Sequence, residues 1–321
     1  MVTASASIEQ VILHPFPLNE HPVIETGFGT RLAGWLGLGA SAVSRRWEYL
    51  KTIGNGTSAQ VYQVADRKTR RMMALKIYRP GLVSEQVLSG PERSSEGEIL
   101  ARLSHPGIVR GIEHGVTETG QYYVVTEYVA GPSLDNLAAN YAGDRLSLVR
   151  KAAESLAVVH EAGYLHCDVC PQNYLLTEDG EVKLFDFGSA LSGQGKYGKT
   201  SLRVSRSEYL PPELLRSDAL GPNIDKFQLG VTAYELMTGA APWKPQASCS
   251  SVARMIRRAD DIRDHLPQID ERLAQAIHRM LLPDPSKRFG TIREFLRAIQ
   301  GVAGNASHET RPIPQLALRA G

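Results

Sequence analysis

A chain of 321 residues can make two ordinary domains, or one bilobal unit with flanking segments. Hydrophobic residues make up 42% of it, which excludes global disorder, and a formal net charge of +2 gives no reason to expect nucleic acid or an anionic membrane as partner. Three cysteines are no disulfide framework, no basic segment leads into an apolar run at the start, and no apolar run approaches the roughly 20 residues of a membrane span, so the expectation is a soluble, cytoplasmic protein.

Residues 1–46 form an extension of unassigned role. Its apolar stretches, 11–18 and 31–43, are interrupted by Gly and Pro and sustain no long period. Gly34-Trp35-Leu36-Gly37-Leu38-Gly39 reads either as a membrane-touching segment or, given few flanking cations, as an arm packed on the following domain. From Trp47 the pattern becomes regular. Strands are predicted over 47–53, 59–66 and 71–78, a helix over 94–103 after Pro91, and strands over 108–116 and 122–128. Beyond Gly131-Pro132 a helix is predicted over 146–162, closed by Gly163, followed by short β segments at 174–176 and 182–185. Further helices are expected over 225–238, 250–259, 271–282 and 292–299, and residues 301–321 read as a loose tail. A mostly β half feeding a mostly α half is an α+β arrangement.

Several short motifs carry chemistry. Gly54-Asn55-Gly56-Thr57-Ser58-Ala59-Gln60-Val61 lies between two predicted strands, where glycines let backbone N–H groups approach phosphates; a tight hairpin is the plainer reading. Met73-Ala74-Leu75-Lys76 ends the third strand with a lysine that is either phosphate-binding or solvated. In the following helix Glu96, which shares a face with Leu100, is the acidic partner for it, with Glu98 a rival. Asp168 and Asn173 stand five apart in His166-Cys167-Asp168-Val169-Cys170-Pro171-Gln172-Asn173, and Asp186-Phe187-Gly188 follows. Phosphoryl transfer needs a carboxylate to orient the attacking hydroxyl and hard oxygen ligands to hold Mg²⁺.

Occurring together and in this order, these motifs resemble those of the eukaryotic-like (Hanks-type) serine/threonine protein kinases, from about residue 47 to 300. The resemblance implies a bilobal kinase fold, with a small mostly-β lobe over 47–129 and a larger mostly-α lobe over 130–300. It implies that Asp168 accepts the proton of the substrate hydroxyl, that Asn173 and Asp186 hold the metal, and that Lys76, paired to Glu96, positions the phosphates of ATP. Gly54, Asn55, Gly56, Ala59, Val61 and Ala74 would surround the nucleotide, with adenine beside Thr126, Glu127 and Val129. Mg²⁺ is the implied ion, with Mn²⁺ as a substitute. Protein substrates are implied, autophosphorylation among them. Pro211-Pro212-Glu213, Asp225 and Arg288 match scaffold positions, with Glu213 pairing to Arg288 and Asp225 steadying the catalytic loop.

The chain also departs from the family. Ala59 replaces the third glycine. Cys167 stands where many relatives have an arginine that receives a phosphorylated activation loop, and a neutral thiol makes no charge-assisted bond to phosphate. Cys170 stands where the family has a lysine on the transferring phosphate. Arg206 replaces the threonine that bonds the catalytic aspartate; it either swings in to supply the missing charge or faces solvent. Cys167-x-x-Cys170 has the spacing of a redox pair or half a zinc site, or is simply two small half-buried thiols. The alternative to an active enzyme is therefore a kinase-fold scaffold that binds nucleotide with weak or no phosphotransfer.

Overall fold

The computed structural model describes residues 42–56, 58–80, 94–138, 141–193, 207–216, 221–243 and 258–304. Arg206 and the 34–39 segment lie outside them, as do residues 250–257 of the helix predicted over 250–259; Arg258 and Ala259 of that span are not helical.

In the small lobe, β1 (Trp47–Asn55), β2 (Ala59–Asp66), β3 (Met72–Tyr78), β4 (Gly111–Val116) and β5 (Tyr122–Glu127) form one antiparallel sheet in the order β1-β2-β3-β5-β4. Strand period 2 divides β3 cleanly. Met73, Leu75 and Ile77 enter an apolar cluster with Trp47, Tyr62 and Val125, whereas Ala74, Lys76 and Tyr78 alternate with them. Val43 of a short helix α1 (Ala42–Arg46) joins that cluster, and Arg46 stacks on Trp47 and pairs with Asp66 and Glu113. The last turn of the N-terminal extension is thus part of the small-lobe packing.

Helix α2 (Glu96–Arg102) begins with a capping box: Ser95 Oγ accepts the Glu98 N–H, and the Glu98 carboxylate accepts the Ser95 N–H at 2.7 Å. This use of Glu98 in the cap leaves Glu96 as the residue facing Lys76. A Cβ on Gly97 would lie 2.3 Å from His114 Cβ, so only glycine permits α2 to sit this close to β4.

The large lobe is built on α4 (Arg145–Glu161) and α5 (Asn223–Thr238), after a short α3 (Leu134–Ala138) that the sequence reading did not anticipate. Helix α5 is buried from Ile224 to Tyr234, as a central helix packed on every side must be. Gly230 lets α6 (Glu271–Met280) approach, since a Cβ there would meet Met280 Cβ at 2.7 Å. Helix α7 (Ile292–Ala298) closes the lobe against α4. The two-residue strands β6 (Tyr164–Leu165) and β9 (Leu191–Ser192) pair, as do β7 (Tyr174–Leu176) and β8 (Val182–Leu184). These two small ladders hold the loops at 166–173 and 185–190 side by side. Val302, assigned from sequence to the tail, is buried, and Arg150 donates to the Ile299 and Val302 carbonyls.

Candidate active site

Lys76, Glu96 and Asp186 come together from three elements. Lys76 Nζ lies 2.8 Å from Glu96 Oε2 and 2.7 Å from Asp186 Oδ1, with all three side chains nearly buried. Burial alone would lower the Lys76 ammonium, but the carboxylates of Asp186 and Glu96 outweigh it and hold the group well above its ordinary value. Glu96 Oε1 accepts the Phe187 N–H at 3.1 Å, so helix α2 is tied to the turn that carries Asp186. Asp186 itself occupies the left-handed region, at φ 64°.

A fourth group belongs to this cluster. Tyr78, two positions beyond Lys76 and therefore on the same face of β3, donates its hydroxyl to Glu96 Oε2. Burial, and then the Glu96 carboxylate, hold its phenol well above the ordinary value, so it remains a donor. Tyr122 supports the same helix by accepting the Gly97 N–H at 3.1 Å and donating to Ser95 Oγ at 2.9 Å. Tyr78→Phe removes only the hydroxyl and should cost about 1.5–3 kcal/mol in urea unfolding, the range for a hydrogen bond to a charged group. An unchanged unfolding midpoint would remove Tyr78 from the network.

The loop after β6 places Asp168 and Asn173. A 3₁₀ turn at Pro171–Asn173 brings the asparagine back, so that its Nδ2 donates to the Asp168 carbonyl at 2.7 Å and to Asp168 Oδ2 at 3.0 Å. That leaves Asn173 Oδ1 as the oxygen with which the side chain can meet a cation. Beneath the loop, Asp225 accepts the N–H groups of His166 and Cys167, both at 2.7 Å, and His160 Nε2 lies 2.8 Å from it. Burial would raise the Asp225 carboxyl, but these donors, His160 first, lower it. His166 Nδ1 accepts the Asp168 N–H, its Nε2 meets the Phe185 carbonyl, and its ring packs edge-on to Phe187 at 4.9 Å.

The two cysteines are buried thiols rather than half-buried ones, 2% and 1% exposed, and they enter different apolar clusters. Cys167 lies with Leu165, Leu191, Leu214 and Ile224, while Cys170 joins the main core of the large lobe. No disulfide joins them, and among the described residues no group of three or more His, Cys, Asp or Glu could hold a metal. The redox-pair and zinc readings of this spacing gain nothing from the fold.

Between the lobes runs a cleft of about 620 Å³, counted out to open solvent. Val61, Ala74 and Val129 line it, together with Thr126, Glu127, Lys76, Glu96 and Asp186. Val109 and Leu175 add apolar walls that the sequence reading did not pick out. Thr126 Oγ1 donates to the Glu127 carbonyl at 3.2 Å, and the Glu127 carboxylate is held by Lys183 at 2.7 Å and by the Arg110 N–H. Gly54 and Asn55 end β1, Gly56 follows, and Ala59 opens β2, so the four frame the tip of the β1–β2 hairpin. Arg79 holds that turn through its N–H on the Ser58 carbonyl and its guanidinium on the Gly56 carbonyl and Asn55 Oδ1.

The family model described as Protein kinase domain matches residues 47–298. The chain belongs to the protein kinase family. It is 27% identical over 266 residues to a probable serine/threonine-protein kinase of Clostridium perfringens, covering 81% of this chain and 38% of that protein. An Aurora kinase of Yarrowia lipolytica is 31% identical over 248 residues, covering 76% of this chain and 65% of that protein. A probable serine/threonine-protein kinase of Lactococcus lactis is 26% identical over 262 residues, covering 78% and 41%. The chain thus spans between about two fifths and two thirds of the length of these relatives.

In this member of the family the fold is the bilobal α+β architecture, and the scaffold pairing expected from sequence is present. Arg288 grips Glu213 through both terminal guanidinium nitrogens, at 2.6 and 2.7 Å. No helix among the described residues is long and apolar enough to cross a membrane. Of the residues that sequence reasoning missed, Tyr78 and Tyr122 act through partners 18 and 25 to 27 positions away, and Val109 and Leu175 come together as cleft walls only in the fold. Only the two-residue spacing of Tyr78 from Lys76 was a local signal.

Proposed function

We propose that this protein kinase transfers the γ-phosphate of ATP to serine or threonine hydroxyls of protein substrates, its own chain among them, in the cytoplasm. The observation that carries this function is the Lys76 ammonium held between Glu96 and Asp186 in the wall of the interlobe cleft. Lys76 would meet the phosphates while Glu96 keeps it in place, and the apolar walls formed by Val61, Ala74 and Val129 suit a flat base such as adenine. Gly54, Asn55, Gly56 and Ala59 would offer backbone N–H groups to the phosphates. Asp168 would orient the attacking hydroxyl and accept its proton, because a positioned carboxylate in reach of the nucleophile is what this transfer needs. The oxygens of Asn173 and Asp186 are hard donors of the kind Mg²⁺ or Mn²⁺ takes, two protein ligands being usual where phosphates complete the shell. When bound, the ion would neutralise charge on the phosphates.

A second function, a nucleotide-binding scaffold without phosphotransfer, is favoured by one observation. Cys170 replaces the family's lysine and is 1% exposed within the core, so it offers no donor to a phosphate. Arg206, proposed to supply that charge, lies outside the described residues. Incubation with γ-labelled ATP and generic protein substrates, with Asp168→Ala alongside, separates the two. Label on serine or threonine only with the unaltered chain supports the enzyme, with a drop of roughly 10²–10⁴ in the variant as for other general bases. Nucleotide binding with no label in either would establish the scaffold.

A further inference from the structure

Gln228 stands three residues after Asp225 on α5, so the two side chains share the helix face beneath the catalytic loop. Gln228 is 4% exposed, and both ends of its carboxamide are engaged. Oε1 accepts the Val169 N–H at 3.0 Å, and Nε2 donates to the Cys167 carbonyl at 3.3 Å. The orientation of the amide follows from chemistry, since a peptide N–H can face only the oxygen. One turn further along α5, Thr232 Oγ1 lies 3.4 Å from the Val169 carbonyl. With Asp225 on the N–H groups of His166 and Cys167, the backbone on both sides of Asp168 is bonded to one helix.

The loop needs that support. Cys167 lies at φ 64°, in the left-handed region that a residue with a Cβ resists, and such a conformation persists only where its surroundings over-determine it. The Cys167 side chain packs with Leu165, Leu191, Leu214 and Ile224, and its backbone N–H and carbonyl are both bonded to α5.

We propose that Gln228 is a positioning residue for Asp168: its carboxamide bridges the Cys167 carbonyl and the Val169 N–H, holding the left-handed turn that sets the direction of the Asp168 carboxylate. The catalytic consequence rests on the phosphotransfer proposed above; the backbone clamp does not.

The test compares the unaltered chain with Gln228→Met, which keeps length and apolar bulk but neither hydrogen bond, and with Gln228→Glu, which keeps an acceptor for Val169 but faces the Cys167 carbonyl with an oxygen. We expect kcat to fall about 10- to 100-fold in both, as for loss of buried hydrogen bonds that aim a reacting group. KM for ATP should stay within about twofold, because neither Gln228 nor its partners Cys167 and Val169 are among the residues lining the cleft. Adding Cys167→Gly to Gln228→Met should recover much of the lost kcat, because glycine occupies the left-handed region without penalty. The same change in the unaltered chain should raise kcat less, a coupling that space-filling alone would not produce. Independently of activity, amide hydrogen exchange across 166–170 should quicken about tenfold or more in Gln228→Met while β3 is unchanged. Unchanged kcat together with unchanged exchange, or absence of rescue by Cys167→Gly, overturns the proposal. If the unaltered chain transfers no phosphate, the enzymatic function falls and exchange alone decides the clamp: faster exchange keeps it, equal exchange overturns it.

Discussion

Lys76→Met will cost this protein stability and, with it, the phosphotransfer proposed above. In the native chain one ammonium satisfies two carboxylates that are almost completely buried, Glu96 and Asp186. Methionine fills the volume and leaves two like charges facing each other out of water. Breaking a buried pair by removing one partner typically costs about 3–5 kcal/mol, because the remaining charge is uncompensated. Glu96 retains the Tyr78 hydroxyl and the Phe187 N–H, and Asp186 retains the Gly188 N–H at 3.4 Å, which moderates the loss. On the proposed function, removing one preorganised donor to a phosphate would lower turnover by roughly 10²–10³. The pH dependence has a definite sign. The folded value of Lys76 lies above its unfolded one, so its stabilisation is fully present below about pH 10, near the unperturbed lysine value, and is lost only as pH rises through the raised value. The variant deficit should therefore be complete at neutral pH. Urea unfolding and labelled-ATP turnover at pH 7 are the measurements, and a variant matching the parent in both would refute the bridged arrangement.

Arg288→Ala should be the most destabilising single change in the large lobe that leaves the cleft untouched. Arg288 is 2% exposed and engages every guanidinium nitrogen: on both buried Glu213 oxygens and on the part-buried carbonyls of Leu282 and Asn223, each at 2.9 Å. Its charged plane also lies against Phe227, 4.9 Å from the ring centroid. Alanine strands the Glu213 carboxylate, opens a cavity and leaves two carbonyls without their donor. The stranded charge alone is worth about 3–5 kcal/mol. At roughly 2–4 °C per kcal/mol for a domain of this size, Tm should fall by on the order of 10 °C. A companion Glu213→Gln should recover part of that loss, since it removes the unpaired charge while keeping the shape. A thermal melt of the single variant indistinguishable from the parent would show that the pair contributes nothing.

The parts of the site that were legible in the sequence are those set by short spacing. Asp168 and Asn173, five apart, are joined by one 3₁₀ turn, and the β3 alternation that buries Leu75 and Ile77 also turns Lys76 the other way. The choice between Glu96 and Glu98 was open in the sequence because both lie in the first turn of one helix. The cap decided it: Glu98 bends back to the Ser95 N–H and Glu96 is left to face Lys76. The cysteines were legible as departures but not as an environment. Their spacing suggested a joint role, and the fold sends them into separate apolar clusters.

By itself, then, the sequence determined the order of the longer elements, the α+β class and the identity of the charged groups, because periodicity, caps and motif spacing act within a few residues. Tertiary structure alone decided which groups complete the site. Lys76 meets Asp186 from 110 positions away, Phe187 meets Glu96 from 91, and Gln228 reaches Val169 from 59. Contacts at such separations follow from how the sheet, α2 and α5 pack, and no local pattern encodes them.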